Sequence, residues 1–516
     1  MKLDNLTQTD PGGPAKNGHV QRTFFEGALA FGTGMGVQRF LSFCASALAA
    51  RLGGPMVFGA YSLGLSTASM TATYTGLGIG QVSARYAGTC PAGSEGRRRA
   101  VHLLIRFALG SAFVAALVLI AAAGPTAAHF VGKDMARSVF RAAAWSAAAL
   151  ILVDAVNGIA LGTLRYSACF QIQVGSGIGL VVALPLAARM GPASMLLGQA
   201  AVVAGVAVWV ASSLWREAAR LTGVASGVTI GSREILSFGI GQLSINMAAS
   251  LAGWYLTVMV SRYDPTMVQM SQYAIGSQLR SFIAFAPTVA SQLVMPLLSK
   301  FASERSGHDD VVTTTSAACT VAAAAAGSLA MLAAPLFLRV YGSSYKYSLH
   351  SAFILMATAV VHMSSAPLAQ TLLRLSVRAT VAINIAWSLV IIACATLVVP
   401  RGGSLGAASA MLGAHMLSAA LVAVALWRKG RLPAGILARC WPMMGMCVLQ
   451  AACACIPLRA VGPLFHWGLQ SVFAAGALAL AARETHSWGI PLSAAFRSAR
   501  RMPSVLLNGP RAGGAG

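Results

Sequence analysis

Arg39 lies near the middle of "FFEGALAFGTGMGVQRFLSFCASALAA" (Phe24–Ala50), an apolar run long enough to cross a bilayer, with Gln38 beside it. Arg280 lies in the same way inside a second run. A charged side chain at that depth costs ~2.5–3.5 kcal/mol on insertion scales, so such residues face protein or water and mark a pathway. Two cations facing a cavity suit an anionic cargo such as a phosphate or pyrophosphate, because the guanidinium fork matches phosphate oxygens. The alternative is internal pairing. Asp154 is the one carboxylate deep in an apolar run, and one aspartate cannot neutralise two arginines. Glu26 sits near a run's end, where it can pair with Arg22 at i, i+4. Asp154, with Asn157 and Gly158 on its helical face, suits a proton or a cation such as Na+ that drives transport; it equally suits a partner for Arg39.

Such residues need a membrane scaffold to hold them, and composition supplies one. The chain has 516 residues, 57% of them hydrophobic and only 10% charged; its mean hydropathy is +0.70. Soluble domains carry roughly 25% charge. The apolar runs are long and continuous, which excludes the alternating segments of about ten residues typical of a membrane β-barrel. The fold class expected is an all-α polytopic membrane protein. The net charge of +24 is spread over many short loops, which fits basic loops facing the cytoplasm and not a nucleic-acid surface. Nine scattered cysteines show no CxxC pair and no Cys/His metal spacing, so no cofactor or metal is expected. The polar first residues, "MKLDNLTQTDPGGPAKNGHV", do not read as a cleavable signal. No loop is long enough to hold a catalytic domain, so an enzyme is not expected.

A helix crosses the hydrocarbon with about 20 apolar residues, which predicts about fourteen spans. Their approximate bounds are 23–49, 57–84, 101–123, 140–163, 170–188, 194–215, 235–260, 267–297, 311–337, 348–373, 380–399, 405–427, 436–457 and 463–482. With the N-terminus inside, 25 of the 37 Lys and Arg residues fall on the cytoplasmic side, 10 on the other, and Arg39 and Arg280 stay in mid-membrane. That bias predicts both termini in the cytoplasm. The expected organisation is a cytoplasmic tail (1–22), an N-lobe of six spans (23–217), a basic linker (218–234), a C-lobe of six spans (235–427), two further spans (436–482) and a cytoplasmic C-terminal tail (483–516).

The lobes repeat. "GAYSLG" (Gly59–Gly64) matches "SQYAIG" (Ser271–Gly276), with tyrosines 273 − 61 = 212 residues apart. "GPTAAHFVG" and "APLFLRVYG" place prolines 335 − 125 = 210 apart, and "TLRYS" and "LLRLS" place arginines 374 − 165 = 209 apart. Six spans per unit make the repeat parallel, about an axis along the membrane normal, as in transporters whose lobes rock about a central site. At about 100° per residue, Arg39 shares its face with Gly32, Met35, Gly36, Ser42 and Ser46. Arg280 shares its face with Gln269, Tyr273, Gly276, Ser277, Ala284 and Pro287. Span 7 offers Gln242, Asn246 and Ser250 on one stripe, and span 2 is hydroxylic, "STASMTATYTG". Spans 1, 2, 7 and 8 are therefore expected to line a wet cavity, with Arg39, Arg280, Gln242, Asn246 and Tyr273 as substrate-binding candidates and Asp154 as the coupling-ion candidate. Near the outer interface, Tyr61 and Tyr273 also fit an aromatic belt. His362 and His415 read as core histidines, with a proton relay as the alternative.

At this point the residues resemble a family. "ARLGGPMVFGAYSLGLSTASM…GLGIGQVSARYAG" (Ala50–Gly88) and "APLAQTLLRLSVRATVAINIAWSLVIIACATLVVPRGGSLGAASAM" (Ala366–Met411) are similar to Wzx-type polysaccharide transporters, including the turn "GSLGAAS" before span 12. The resemblance implies the multidrug/oligosaccharidyl-lipid/polysaccharide exporter fold, two six-helix lobes in a V, with alternating access. It implies a flippase that carries a polyprenyl-diphosphate-linked oligosaccharide from the inner to the outer leaflet of a bacterial inner membrane. The pathway would be O-antigen (lipopolysaccharide), capsule or exopolysaccharide assembly, with membrane lipids, a polysaccharide polymerase and a chain-length regulator as further partners. In related lipid II flippases, arginines of spans 1 and 8 line the cavity; Arg39 and Arg280 occupy those spans, while the cation that those transporters carry in span 2 has no counterpart before Arg85. Rival readings are a drug or cation antiporter of the same superfamily, usually of twelve spans with an acidic cavity, and a membrane polysaccharide polymerase or ligase, which would show a large outer loop and no six-span repeat.

Overall fold

A computed structural model describes residues 14–89, 94–126, 134–220, 231–264, 266–292, 305–456 and 463–487. Among these residues the chain is helical throughout and has no strand. The helices are α1 (Pro14–Gly76), α2 (Ile79–Thr89), α3 (Glu95–Thr126), α4 (Asp134–Gly162), α5 (Tyr166–Ala188), α6 (Pro192–Arg220), α7 (Ser232–Tyr263), α8 (Val268–Gln292), α9 (Arg305–Tyr341), α10 (Leu349–Leu375), α11 (Val377–Arg428), α12 (Ile436–Ala454) and α13 (Pro463–Ser487). Ten of them are long and apolar enough to cross a membrane.

Two of the ten, α1 and α11, are hairpins of two limbs each. Gly54 (φ 75°, ψ 174°) breaks α1, and Gly403 (φ 50°, ψ −129°) breaks α11. Gly54 precedes Pro55, whose ring keeps the preceding residue out of the helical region while itself suiting a helix start. The reversal in α11 shows in side-chain contacts. Trp387 and His415 have ring centroids 5.2 Å apart, although 415 − 387 = 28 residues of straight helix would separate them by about 42 Å. Likewise Met35 and Thr73 of α1 border one cavity. Counting each limb as a crossing, with α7 and α8, accounts for all fourteen expected spans. The chain is an all-α, multi-pass membrane protein.

Three expectations change. Residues 14–22, expected in the N-terminal tail, are helical and run on into α1; the rest of that tail, most of the basic linker, the end of span 8 and the C-terminal tail beyond Ser487 lie outside the described residues. Span 2 is not one continuous helix: Leu77 (φ 49°) and Gly78 (φ 66°) interrupt it between α1 and α2. The run "GLGIG" (76–80) supplies the residue best able to adopt that left-handed conformation. Tyr61 and Tyr273 do not form an interfacial belt, since both are buried, 3% and 4% exposed. The Tyr61 hydroxyl is satisfied inside the bundle, donating to Gln199 Oε1 at 2.6 Å.

Helix pairing repeats between the halves. The first limb of α1 packs on α5 where Gly34 meets Phe170, and α7 packs on the first limb of α11 where Tyr255 Oη meets Thr396 Oγ1 at 3.1 Å. The second limb of α1 meets α4 at Gly76 and Ile151, as α8 meets α10 at Gly276 and Ala352. α3 packs on α4 as α9 packs on α10. Small residues allow these close approaches: a Cβ on Gly158 of α4 would run into the carbonyl of Gly80 in α2. The halves meet along two seams, α1 with α8 and α1 with α7.

The hairpin in α11 is held by α8. Gln269 Oε1 accepts from the Ser404 backbone N–H at 3.0 Å, and Gln272 Oε1 from the Ser404 hydroxyl at 3.0 Å. Asp264 caps α8, accepting from Gln269 N–H at 2.6 Å and from the Thr266 hydroxyl at 2.7 Å. A Cβ at Gly403 would strike the Gln269 side chain at a φ that side chains avoid. Gly403→Ala is therefore expected to cost ~1–3 kcal/mol, read as a lower melting temperature in detergent. Gly402→Ala, whose Cβ would meet only Val398 at 3.8 Å, is expected to be neutral or slightly stabilising. Equal melting temperatures for the two variants would contradict this account of the turn.

Candidate functional site

Two cavities of different character lie along the seams. The larger, ≈ 750 Å3, is enclosed by both limbs of α1, the break at residues 77–78, α2, α4, α5 and α7. Ser69 and Thr73 from α1, Asp154 and Asn157 from α4, and Gln242 and Asn246 from α7 line it. The smaller, ≈ 210 Å3, lies between α1, α8 and α10, and both Arg39 and Arg280 line it, with His362 and Thr288. Arg39 also reaches a third space of ≈ 290 Å3 beside Ser42, Ser46 and Ser281. Met35 borders both the large cavity and the arginine pocket, so the two are neighbours across one helix.

The sequence-predicted residues thus fall into two groups. Arg39 and Arg280 come together. Gln242, Asn246 and Asp154 come together in the other cavity. Tyr273 lines none of these spaces, because the start of α8 turns that face into the C-terminal half, where Gly276 packs against Leu355 and Ala352. Asp154 is exposed to its cavity, as Arg39 is to its own. Among the described residues, Arg39, Arg280 and Asp154 form no ion pair. Asn157 Oδ1, one turn from Asp154, is buried without a hydrogen-bond partner among the described residues. Sequence reasoning gave His362 no substrate role; its position level with Arg280, near the middle of its own span, was the available signal.

Part of the hydroxyl run in α1 is spent on the seam with α7. Ser66 Oγ lies 3.1 Å from Thr257 Oγ1, Trp254 Nε1 donates to Thr67 Oγ1 at 3.0 Å, and the Tyr74 hydroxyl donates to the Met247 carbonyl at 2.9 Å. The α1–α8 seam is closed beyond the arginines by aromatic rings. Phe43 packs against Phe282, Phe337 and Tyr341 with centroids 5.6–6.5 Å apart. The Tyr341 hydroxyl donates to Gln278 Oε1 at 2.7 Å, and that of Tyr345 to the Ala50 carbonyl at 3.1 Å. Near the other end of the α1–α7 seam, the Arg85 guanidinium lies 4.5 Å from the Phe238 ring centroid.

Comparison with solved structures places this architecture. It is similar to the lipid II flippase MurJ in an inward closed conformation, with a TM-score of 0.66 and 12% identity, covering 90% of this chain and 100% of that one. It is similar to a MATE transporter in a bent conformation, with a TM-score of 0.55 and 15% identity, covering 84% and 97%. A MOP-superfamily transporter from Pyrococcus furiosus with a binding pocket of reverse polarity gives a TM-score of 0.54 and 16% identity, covering 80% and 96%. The chain shares their fold. No family model and no curated protein matches its sequence.

The open question between Arg39 and Asp154 has a stability readout. Removing one member of a buried ion pair costs ~3–5 kcal/mol. Here the two groups line separate cavities, so Arg39→Gln and Asp154→Asn are each expected to melt close to wild type. A large loss in each single variant, recovered in the double variant, would show a pair that this geometry lacks.

Proposed function

We propose that the protein is an alternating-access flippase that carries a polyprenyl-diphosphate-linked oligosaccharide across a bacterial inner membrane, with both termini in the cytoplasm. The observation that carries the reading is the pairing of Arg39 with Arg280 in one mid-membrane pocket that no carboxylate lines. Two guanidinium groups from different halves form a clamp for a diphosphate. The adjoining cavity offers hydroxyl and amide groups suited to sugars, namely Ser69, Thr73, Gln242 and Asn246. Such a cargo has a head that hydrocarbon rejects and a tail that water rejects; a polar seam between two halves shields the head while the tail stays in lipid. No bond is made or broken, so no catalytic group is required. The fold shared with a lipid II flippase supports this choice.

Asp154 and Asn157 would hold the coupling ion. The carboxylate and Asn157 Oδ1, which has no partner among the described residues, are one turn apart on α4, and oxygen donors of this kind suit Na+ or a proton. The same cavity favours a second reading, a cation or drug antiporter, since Asp154 is the one carboxylate among its lining residues. That reading leaves the arginine pair without a task.

Arg39→Ala and Arg280→Ala are each expected to abolish surface polysaccharide in the native host while the protein remains inserted at wild-type abundance, as checked by membrane immunoblot. Normal polysaccharide in both variants would remove the clamp. Loss of drug resistance in Asp154→Asn, with polysaccharide unchanged, would favour the antiporter.

A further inference from the structure

His362 lies midway along α10, open to the pocket that Arg39 and Arg280 line. Neither of its ring nitrogens has a hydrogen-bond partner among the described residues. Behind it stands His415 of α11, with ring centroids 4.9 Å apart and planes at 85°. His415 is already committed: its Nδ1 is 2.8 Å from the Met411 carbonyl oxygen, which can only accept, so Nδ1 carries the proton. Trp387 covers His415 from the other limb of α11. Among the described residues, the charged or titratable groups that line this pocket or touch the ring are therefore Arg39 from α1, Arg280 from α8 and His415 from α11. Along the middle of α9 and α12, which also pack on α10, the titratable groups among the described residues are the thiols Cys319, Cys440 and Cys447.

We propose that His362 is the third anion-binding group of this pocket and that it binds as the imidazolium, taking up one proton from solvent as the anion settles between the two arginines. This rests on the diphosphate reading of that pocket. An anion between Arg39 and Arg280 offers oxygens to a ring whose nitrogens have no other partner among the described residues. The protonated ring then donates a charge-assisted hydrogen bond, which the neutral form makes only weakly. The proton returns to solvent when the anion leaves. His415 serves as a positioning residue: its fixed tautomer and edge hold the His362 ring toward the pocket.

The test is binding of inorganic pyrophosphate to the full-length protein in nanodiscs, by calorimetry at about pH 6 and about pH 8, the range across which histidine titrates. Pyrophosphate's own protonation is common to all variants and cancels when they are compared. Removing one proton-linked contact changes the affinity ratio between the two pH values by about tenfold, the equivalent of one pKa unit. His362→Gln is expected to reduce that ratio by this factor and to abolish the proton uptake seen in buffers of different ionisation enthalpy, while still binding at pH 8. An unchanged ratio and unchanged uptake in His362→Gln, with wild-type binding intact, would overturn the role of His362 and leave the arginine clamp standing. Loss of uptake only in His415→Gln would overturn it as well. Absence of binding to the wild type at both pH values would overturn the clamp and this inference together.

Discussion

A guanidinium halfway across a bilayer cannot face lipid without a cost of several kcal/mol, and this chain carries two, on helices from opposite halves. That constraint orders the rest of the bundle. The first limb of α1 turns Val37 and Leu48 outward, 37% and 43% exposed, and turns Arg39 toward the seam. α8 presents Arg280 from the other half to the same pocket. Once these two helices are opposed, α5 and α4 pack behind α1, and α10 and α9 pack behind α8, through the small residues that fill their interfaces. The seam between the halves is then where Arg39 and Arg280 can meet each other's pocket and water.

The contacts along that seam are of a kind that can separate. Across α1 and α7 they are hydroxyl and indole hydrogen bonds, each worth about 1 kcal/mol or less in a membrane interior, because the separated groups find other partners. Between α1 and the α8–α9 pair they are ring contacts around Phe43. Ion pairs of the strength that would lock two halves together are not found at these positions among the described residues. Within each half the approach is closer and less reversible: Gly158 and Gly162 bring the α4 backbone against the α2 backbone, where any Cβ would collide. A bundle with tight halves and a loosely bonded seam suits the rocking that the proposed function calls for.

Much of this was legible from residue types alone, because the hydrophobic run is the strongest signal that a membrane imposes on sequence. Fourteen crossings follow from run lengths, and the turns at Gly54–Pro55 and Gly402–Gly403 stand out as the breaks that a hairpin needs. Arg39 and Arg280 were visible for the same reason, since a cation inside an apolar run has few explanations. The break at Leu77–Gly78 was not, because membrane helices tolerate glycine without breaking. Tyr273 went elsewhere because helical periodicity reports a face but not the neighbour that claims it; here α10 claims the N-terminal turns of that face and the pocket only the middle. The division into two cavities was equally hidden. It arises because the first limb of α1 forms a wall of both cavities, and no one-dimensional pattern encodes that placement.

That division gives the charges their meaning. Arg39 and Asp154 both lie on the walls around the first limb of α1, on opposite sides of Met35, and neither neutralises the other. Leaving a cation and a carboxylate unpaired at mid-depth is unfavourable unless water or ligands complete them. Under the proposed function, an anion beside Arg39 and a cation beside Asp154 would each complete one side. Because one helix forms a wall of both cavities, whatever displaces that helix on filling one cavity alters the shape of the other. In that proposal, coupling between cargo and ion would need no relay of charged residues through the bundle, only a shared wall whose position both ligands favour.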